Sequence, residues 1–144
     1  MFLSEVTDRG SLPALVKTLA FQQARLNMIA ENIANSETPG YRTKRLDTKA
    51  FEQSLREALD VRRLDPEKPL RVDNGREVRT DAAGSLVVTP REQPVENILF
   101  HDGTNMSLER QMADLAETGM THELATTLLR TQMDQVRRAI RGRF

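Results

Sequence analysis

Apolar residues in the first third of the chain fall at Leu12, Leu15, Leu19, Leu26, Ile29 and Ile33, with Gln22 the one polar break. The intervals alternate between three and four. That is a helical period, and the stripe is narrow, as in a coiled-coil seam. The spacing predicts a helix from about Ser11 to Ala34. Ser11 has N-cap chemistry, and Pro13 stands in the first turn, where a missing N–H costs nothing. The stretch ANSETPGY, residues 34–41, stops the pattern. Asn35 tolerates the left-handed conformation at a helix end. Thr38 is pushed out of the helical region by the proline after it. Pro39-Gly40 fits the central pair of a type II turn, with glycine supplying the positive φ.

A second stripe occupies the other end: Leu108, Met112, Leu115, Gly119, His122, Thr126, Leu129, Met133, Val136 and Ile140. The spacing again alternates four and three, and the weak positions cluster in the middle. Ser107 is a good N-cap, Glu109 suits the positive end of the helix dipole, and Arg137, Arg138 and Arg141 suit the carbonyl end. Gly142 closes the segment. A helix over about 107–141 is roughly 50 Å long at 1.5 Å per residue. A compact domain of 144 residues is only about 40 Å across. A seam longer than its own globule calls for other chains to cover it, so the pattern points to assembly.

Between these ends the pattern weakens. Phe51 to Leu59 (FEQSLREAL) carries a short helical stretch. DPEKPLRVDNGREVRTDAAG is rich in charge, proline and glycine and reads as loop or poorly ordered linker. EVRT and SLVVTP flanking Ala-Ala-Gly fit one small hairpin. The expected architecture is mainly α. Residues 1–41 form a helix and turn, 42–106 an irregular middle with a short helix near 51–59, and 107–144 the closing helix. The two long helices pair as a coiled-coil core.

Composition narrows the chemistry. There is no cysteine, which removes disulfides and thiolate sites. Charge is balanced at 21 basic and 21 acidic residues, so nucleic acid is not an expected partner. The basic cluster Arg130, Arg137, Arg138, Arg141 and Arg143 has only Phe144 beside it for stacking. Its expected role is dipole complementation and solubility. The two histidines, His101 in a turn-like HDG and His122 on the helical stripe, read as a loop residue and a partly buried packing residue. No G-x-S-x-G, P-loop or G-x-G-x-x-G occurs. No catalytic group, metal, cofactor or small-molecule substrate is expected. Nor is there a signal-peptide pattern or an apolar run of about 18 residues.

The two ends together resemble a known family. NIANSETPGYRTKRLD is similar to the N-terminal signature of the bacterial flagellar axial proteins, carried here by Asn32, Ala34, Asn35, Thr38, Pro39, Gly40 and Tyr41. DGTNMSLERQMADLAETGMTHELATTLLRTQMDQVRRAIRG is similar to the family's closing helix. The nearest likeness is to the basal-body rod proteins. His122 followed by Glu123, Gly119, and Met106-Ser107 depart from the family pattern. The resemblance implies a non-enzymatic subunit whose terminal helices form the core of a tube. In that tube the turn at 36–41 releases the chain toward the outer wall. It implies as partners copies of itself, other rod and basal-body proteins and the flagellar export apparatus. It also implies export without a cleaved signal peptide to the periplasmic span of the basal body. Rival readings are another short rod subunit of the same family, a soluble helical adaptor pairing through the same seams, and a basic-tailed nucleic-acid binder.

Overall fold

The computed structural model describes residues 11–92 and 108–142. Three helices and two small antiparallel strand pairs make up these residues. Helix α1 spans Leu12–Ala34, α2 spans Thr48–Leu64 and α3 spans Leu108–Ile140. Strand β1 (Lys44–Arg45) pairs with β4 (Arg91–Glu92), and β2 (Val78–Thr80) pairs with β3 (Leu86–Val88).

Helix α1 starts and stops close to where the stripe predicts, but not with the predicted caps. Ser11 has helical backbone angles, φ −85° and ψ −9°, and makes no side-chain cap bond. A capping hydroxyl reaches the next amides from extended backbone, so from this geometry it cannot. At the other end Asn35 has φ −101°, and no non-glycine residue has positive φ among the described residues. Asn35 instead closes the helix with its amide: its N–H donates to the Glu31 carbonyl at 3.1 Å and its Nδ2 to the same carbonyl at 2.8 Å.

The long helices run antiparallel. Asn32, near the end of α1, meets Gln111, near the start of α3, and Arg25 pairs with Asp114 at 3.8 Å. Helix α3 is ten residues longer than α1. Its line toward α1 passes through Leu115, Thr118, His122, Ala125 and Leu129, of which Thr118 and Ala125 are fully buried. Small residues there let the backbones come close. The Thr118 hydroxyl donates to the Asp114 carbonyl at 2.6 Å, so its burial costs little.

The other side of α1 packs on the middle of the chain. Phe21, Met28 and Ile29 join Leu46, Phe51, Val72 and Val78 in one apolar cluster. Phe21 and Phe51 stack with centroids 4.0 Å apart and planes 2° apart. This corrects one side of the reading of residues 65–84 as loop or poorly ordered linker: much of the segment is loop, but Leu70, Val72 and Val78 are core residues. The middle helix is also longer than FEQSLREAL, because Asp47 accepts from the Ala50 amide at 3.0 Å and caps it from Thr48. Phe51, Leu55 and Ala58 form its inner line.

The hairpin falls where the alternation around Ala-Ala-Gly predicts it. Val78 lies opposite Val88 and Thr80 opposite Leu86, with Gly84 in the turn at φ +85°. The Thr80 hydroxyl accepts from the Val72 amide and donates to the Val72 carbonyl, at 2.8 and 3.0 Å. Glu77 ties hairpin to helix, accepting from the Asp47 amide at 2.9 Å. Lys17 of α1 is buried against the hairpin turn, where its Nζ donates to the Gly84 carbonyl at 3.0 Å and to the Thr80 hydroxyl at 3.4 Å. Burial holds this ammonium below its ordinary 10.5, with Asp81 pulling it partly back.

Two outcomes check this packing. A methyl group at Gly119 meets nothing within 4 Å. Gly119→Ala therefore stabilises the isolated chain by up to about 1 kcal/mol in urea titrations, through helix propensity alone. Lys17 in the folded chain releases its proton before the unfolded chain does, so its contribution to stability grows as pH rises toward 10.5. Unfolding titrations run in the alkaline range up to about pH 10.5 show that rising component in the native chain and lose it in Lys17→Met.

Candidate assembly interface and its bounding turn

The turn after α1 is built from backbone bonds and one buried amide. The Thr38 amide donates to the Asn35 carbonyl at 3.0 Å, and the Tyr41 amide to the Thr38 carbonyl at 3.2 Å. The second bond closes Thr38–Tyr41 around Pro39-Gly40, with Gly40 at φ +75°. That is the type II arrangement expected of a Pro-Gly pair.

Asn32 holds the chain that leaves this turn. Its side chain is completely buried. Nδ2 donates to the Lys44 carbonyl at 2.8 Å and to Gln111 Oε1 at 3.3 Å. Oδ1 accepts from the Lys44 amide at 2.9 Å and from the Tyr41 hydroxyl at 3.1 Å. An asparagine amide has two donors and two acceptor sites, and all four are used. To Lys44 it presents the edge of a neighbouring strand, so α1 is locked to β1 as if by a ladder rung. The same residue also reaches α3. Burial and the Glu31 carboxylate raise the Tyr41 hydroxyl above its ordinary 10, which keeps it a donor. Lys44 is held above its ordinary range by its hydrogen bond to Glu31, at 2.5 Å.

The seam residues read from sequence divide into two sets. On α1, Leu12 and Ile29 are buried, and Leu15, Leu19, Leu26 and Ile33 are half-buried. On α3, Leu115, Leu129 and Val136 are half-buried, as are Gly119, His122 and Thr126. Leu108, Met112, Met133 and Ile140 are exposed, Met112 by 54% and Ile140 by 60%. Near its start the face that α3 presents to α1 is turned from the apolar stripe: Thr118 and Ala125 go inward and Leu108 and Met112 stay outside, whereas Met133 and Ile140 lie past the end of α1. Gln22, the polar break of the first stripe, is buried, with no hydrogen-bond partner for its Oε1 among the described residues. In the turn motif Asn32 is buried, Asn35 and Tyr41 are half-buried, and Thr38, Pro39 and Gly40 are exposed.

Periodicity did not single out Lys17, Lys44, Gln111 or Thr80. The one signal for Lys17 was its place four residues before Phe21, a cation on the face that packs. Arg130, Arg137, Arg138 and Arg141 are exposed, and Arg137 pairs with Asp134 at 3.3 Å. His101, Ser107 and Arg143 lie outside the described residues. Among the described residues no cluster of three or more His, Asp or Glu side chains could hold a metal ion, and no helix is long and apolar enough to cross a membrane.

Residues 12–42, helix α1 and its turn, match the family of flagella basal body rod proteins. Over most of its length the chain is also similar to two flagellar basal body rod proteins FlgB. That of Yersinia ruckeri is 24% identical, over 85% of this chain and 92% of the relative. That of Salmonella typhimurium is 23% identical, over 91% of this chain and 98% of the relative. The likeness to flagellar basal-body rod proteins thus lies in a family match to the first helix and its turn and in a similarity to FlgB over most of the chain. The segment matched by the family ends just past the Thr38–Tyr41 turn, two residues before the Lys44 that Asn32 holds. The rod-family signature is therefore a folded unit here: a helix, a Pro-Gly turn and the amide that binds one to the other.

Asn32→Ala leaves the Lys44 amide and carbonyl without their partner and lowers unfolding free energy by about 2–4 kcal/mol. Tyr41→Phe removes one bond of the four and costs about 1 kcal/mol. Chemical denaturation measures both, and hydrogen exchange at the Lys44 amide accelerates much more in the first variant than in the second.

Proposed function

We propose that this chain is a structural subunit of the flagellar basal-body rod that assembles through its terminal helices into a tubular axial structure and transmits torque along it. The supporting observation is the uncovered edge of α3. Leu108, Met112, Met133 and Ile140 share the seam with Leu115 and Leu129, yet α1 does not cover them. Apolar surface at about 25 cal/mol per Å² favours a partner on such a line. Contacts of this kind that do not close on themselves generate a helical tube. Helices lying side by side resist twisting, which is the mechanical demand of a drive shaft. The partners are copies of this chain and other rod proteins, delivered through the flagellar export apparatus without a cleaved signal peptide to the periplasmic span of the basal body.

Exposed positions make the test clean. Met112→Asp and Ile140→Asp change residues that the isolated chain does not pack, so circular dichroism and melting temperature stay within a degree or two of the native chain. In cells both abolish swimming, because a carboxylate on the seam cannot be desolvated cheaply. Normal motility in both variants overturns the assignment of this edge to assembly.

A further inference from the structure

The seam between α1 and α3 carries its polar positions in the middle. Asn32 bonds to Gln111, and Leu115 packs on the cluster that holds Ile29. The helices are antiparallel, so each step back along α1 is a step forward along α3. Ten residues before Asn32 stands Gln22, and eleven after Gln111 stands His122. One heptad to either side of this level, Leu15 falls opposite Leu129 and Ile29 opposite Leu115. On the neighbouring line large meets small: Leu19 lies at the level of Ala125 and Leu26 at that of Thr118, and Ala125 and Thr118 are buried.

Gln22 is 5% exposed, and its Oε1 has no hydrogen-bond partner among the described residues. The hydroxyls of this stretch are already committed. Thr18, Thr118 and Thr126 each donate their one proton to a carbonyl of their own helix. From Met112 to Leu129, the half-buried His122 is the only side chain of α3 with an N–H to give.

We infer that Gln22 and His122 act as one polar layer that holds α1 and α3 in a single antiparallel register. A slide of α3 by one heptad splits the layer. In one direction Gln22 meets Leu129 and His122 meets Ile29. In the other, Gln22 meets Leu115 and His122 meets Leu15. Either way an amide and an imidazole are buried against apolar side chains that offer no partner. A seam apolar throughout tolerates such a slide, because leucine packs on leucine at every heptad. The other ties across the pair are weaker: Arg25 reaches Asp114 only at 3.8 Å, and the Asn32 bond to Gln111 is 3.3 Å long. The register sets how far α3 runs past the first residue of α1, and so keeps Met133 and Ile140 beyond it. This layer belongs to the single chain and does not rest on rod assembly.

The test uses the full chain, which has no cysteine of its own. Leu15→Cys with Leu129→Cys reports the native alignment. Leu15→Cys with Val136→Cys reports a slide of one heptad, about 10 Å along the helix. In a glutathione buffer at high dilution, the first pair closes its intramolecular disulfide roughly thirtyfold faster than the second, or more. Adding Gln22→Leu and His122→Leu cuts that preference about tenfold or more, while circular dichroism reports intact helix. The exchange Gln22→His with His122→Gln keeps amide opposite ring and keeps the preference. A preference that survives the two leucines overturns the proposal. So does an exchange variant that slides as the leucine variant does, or a native chain in which neither pair closes.

Discussion

Everything in this chain is organised by one helix being covered on two sides. Helix α1 gives Phe21, Met28 and Ile29 to the middle of the chain and its other face to α3. A helix can do this only if it is apolar or fully hydrogen-bonded over much of its circumference. Its polar members meet that condition unequally: Asn32 uses all four of its bonding sites, Lys17 finds two acceptors, and the Gln22 Oε1 has no partner among the described residues. Helix α3 has no such second partner among the described residues. It packs on α1 along a line that includes Thr118 and Ala125, and several of its larger apolar residues, Met112, Met133 and Ile140 among them, remain outside. That asymmetry separates a helix that completes a fold from one that, under the proposed function, is covered by a neighbouring subunit.

The turn after α1 shows how a family signature can be a mechanical part. Pro39 and Gly40 reverse the chain at low strain, because glycine takes the positive φ freely. By themselves they would leave the following strand free to swing. The Asn32 amide removes that freedom by pairing with both polar groups of Lys44. The direction in which the middle of the chain departs from the helical pair is therefore set inside α1, nine residues before Tyr41.

Much of this was legible in the sequence. The two helices, the Pro-Gly turn and the hairpin at 78–88 all announce themselves by period or by turn chemistry. The ordered middle did not, for a physical reason. Its core residues Leu70, Val72 and Val78 alternate with Arg71, Asp73 and Arg79, which face water and dominate the composition. The capping errors at Ser11 and Asn35 have a common origin: residue type says which groups can bond, while backbone angles decide whether they reach. The face of α3 was the subtlest point. Thr118 and Ala125 pack inward because they admit close approach, so the most apolar line was not the one the monomer uses.

Under the proposed function, the leftover apolar surface of α3 is where a neighbouring rod subunit lies. Electron cryo-microscopy of intact basal bodies, at a resolution that traces single helices, examines that edge directly. The account predicts a helix of a neighbouring subunit lying along Leu108, Met112, Met133 and Ile140. An edge facing only solvent or the open lumen in the assembled rod would contradict it.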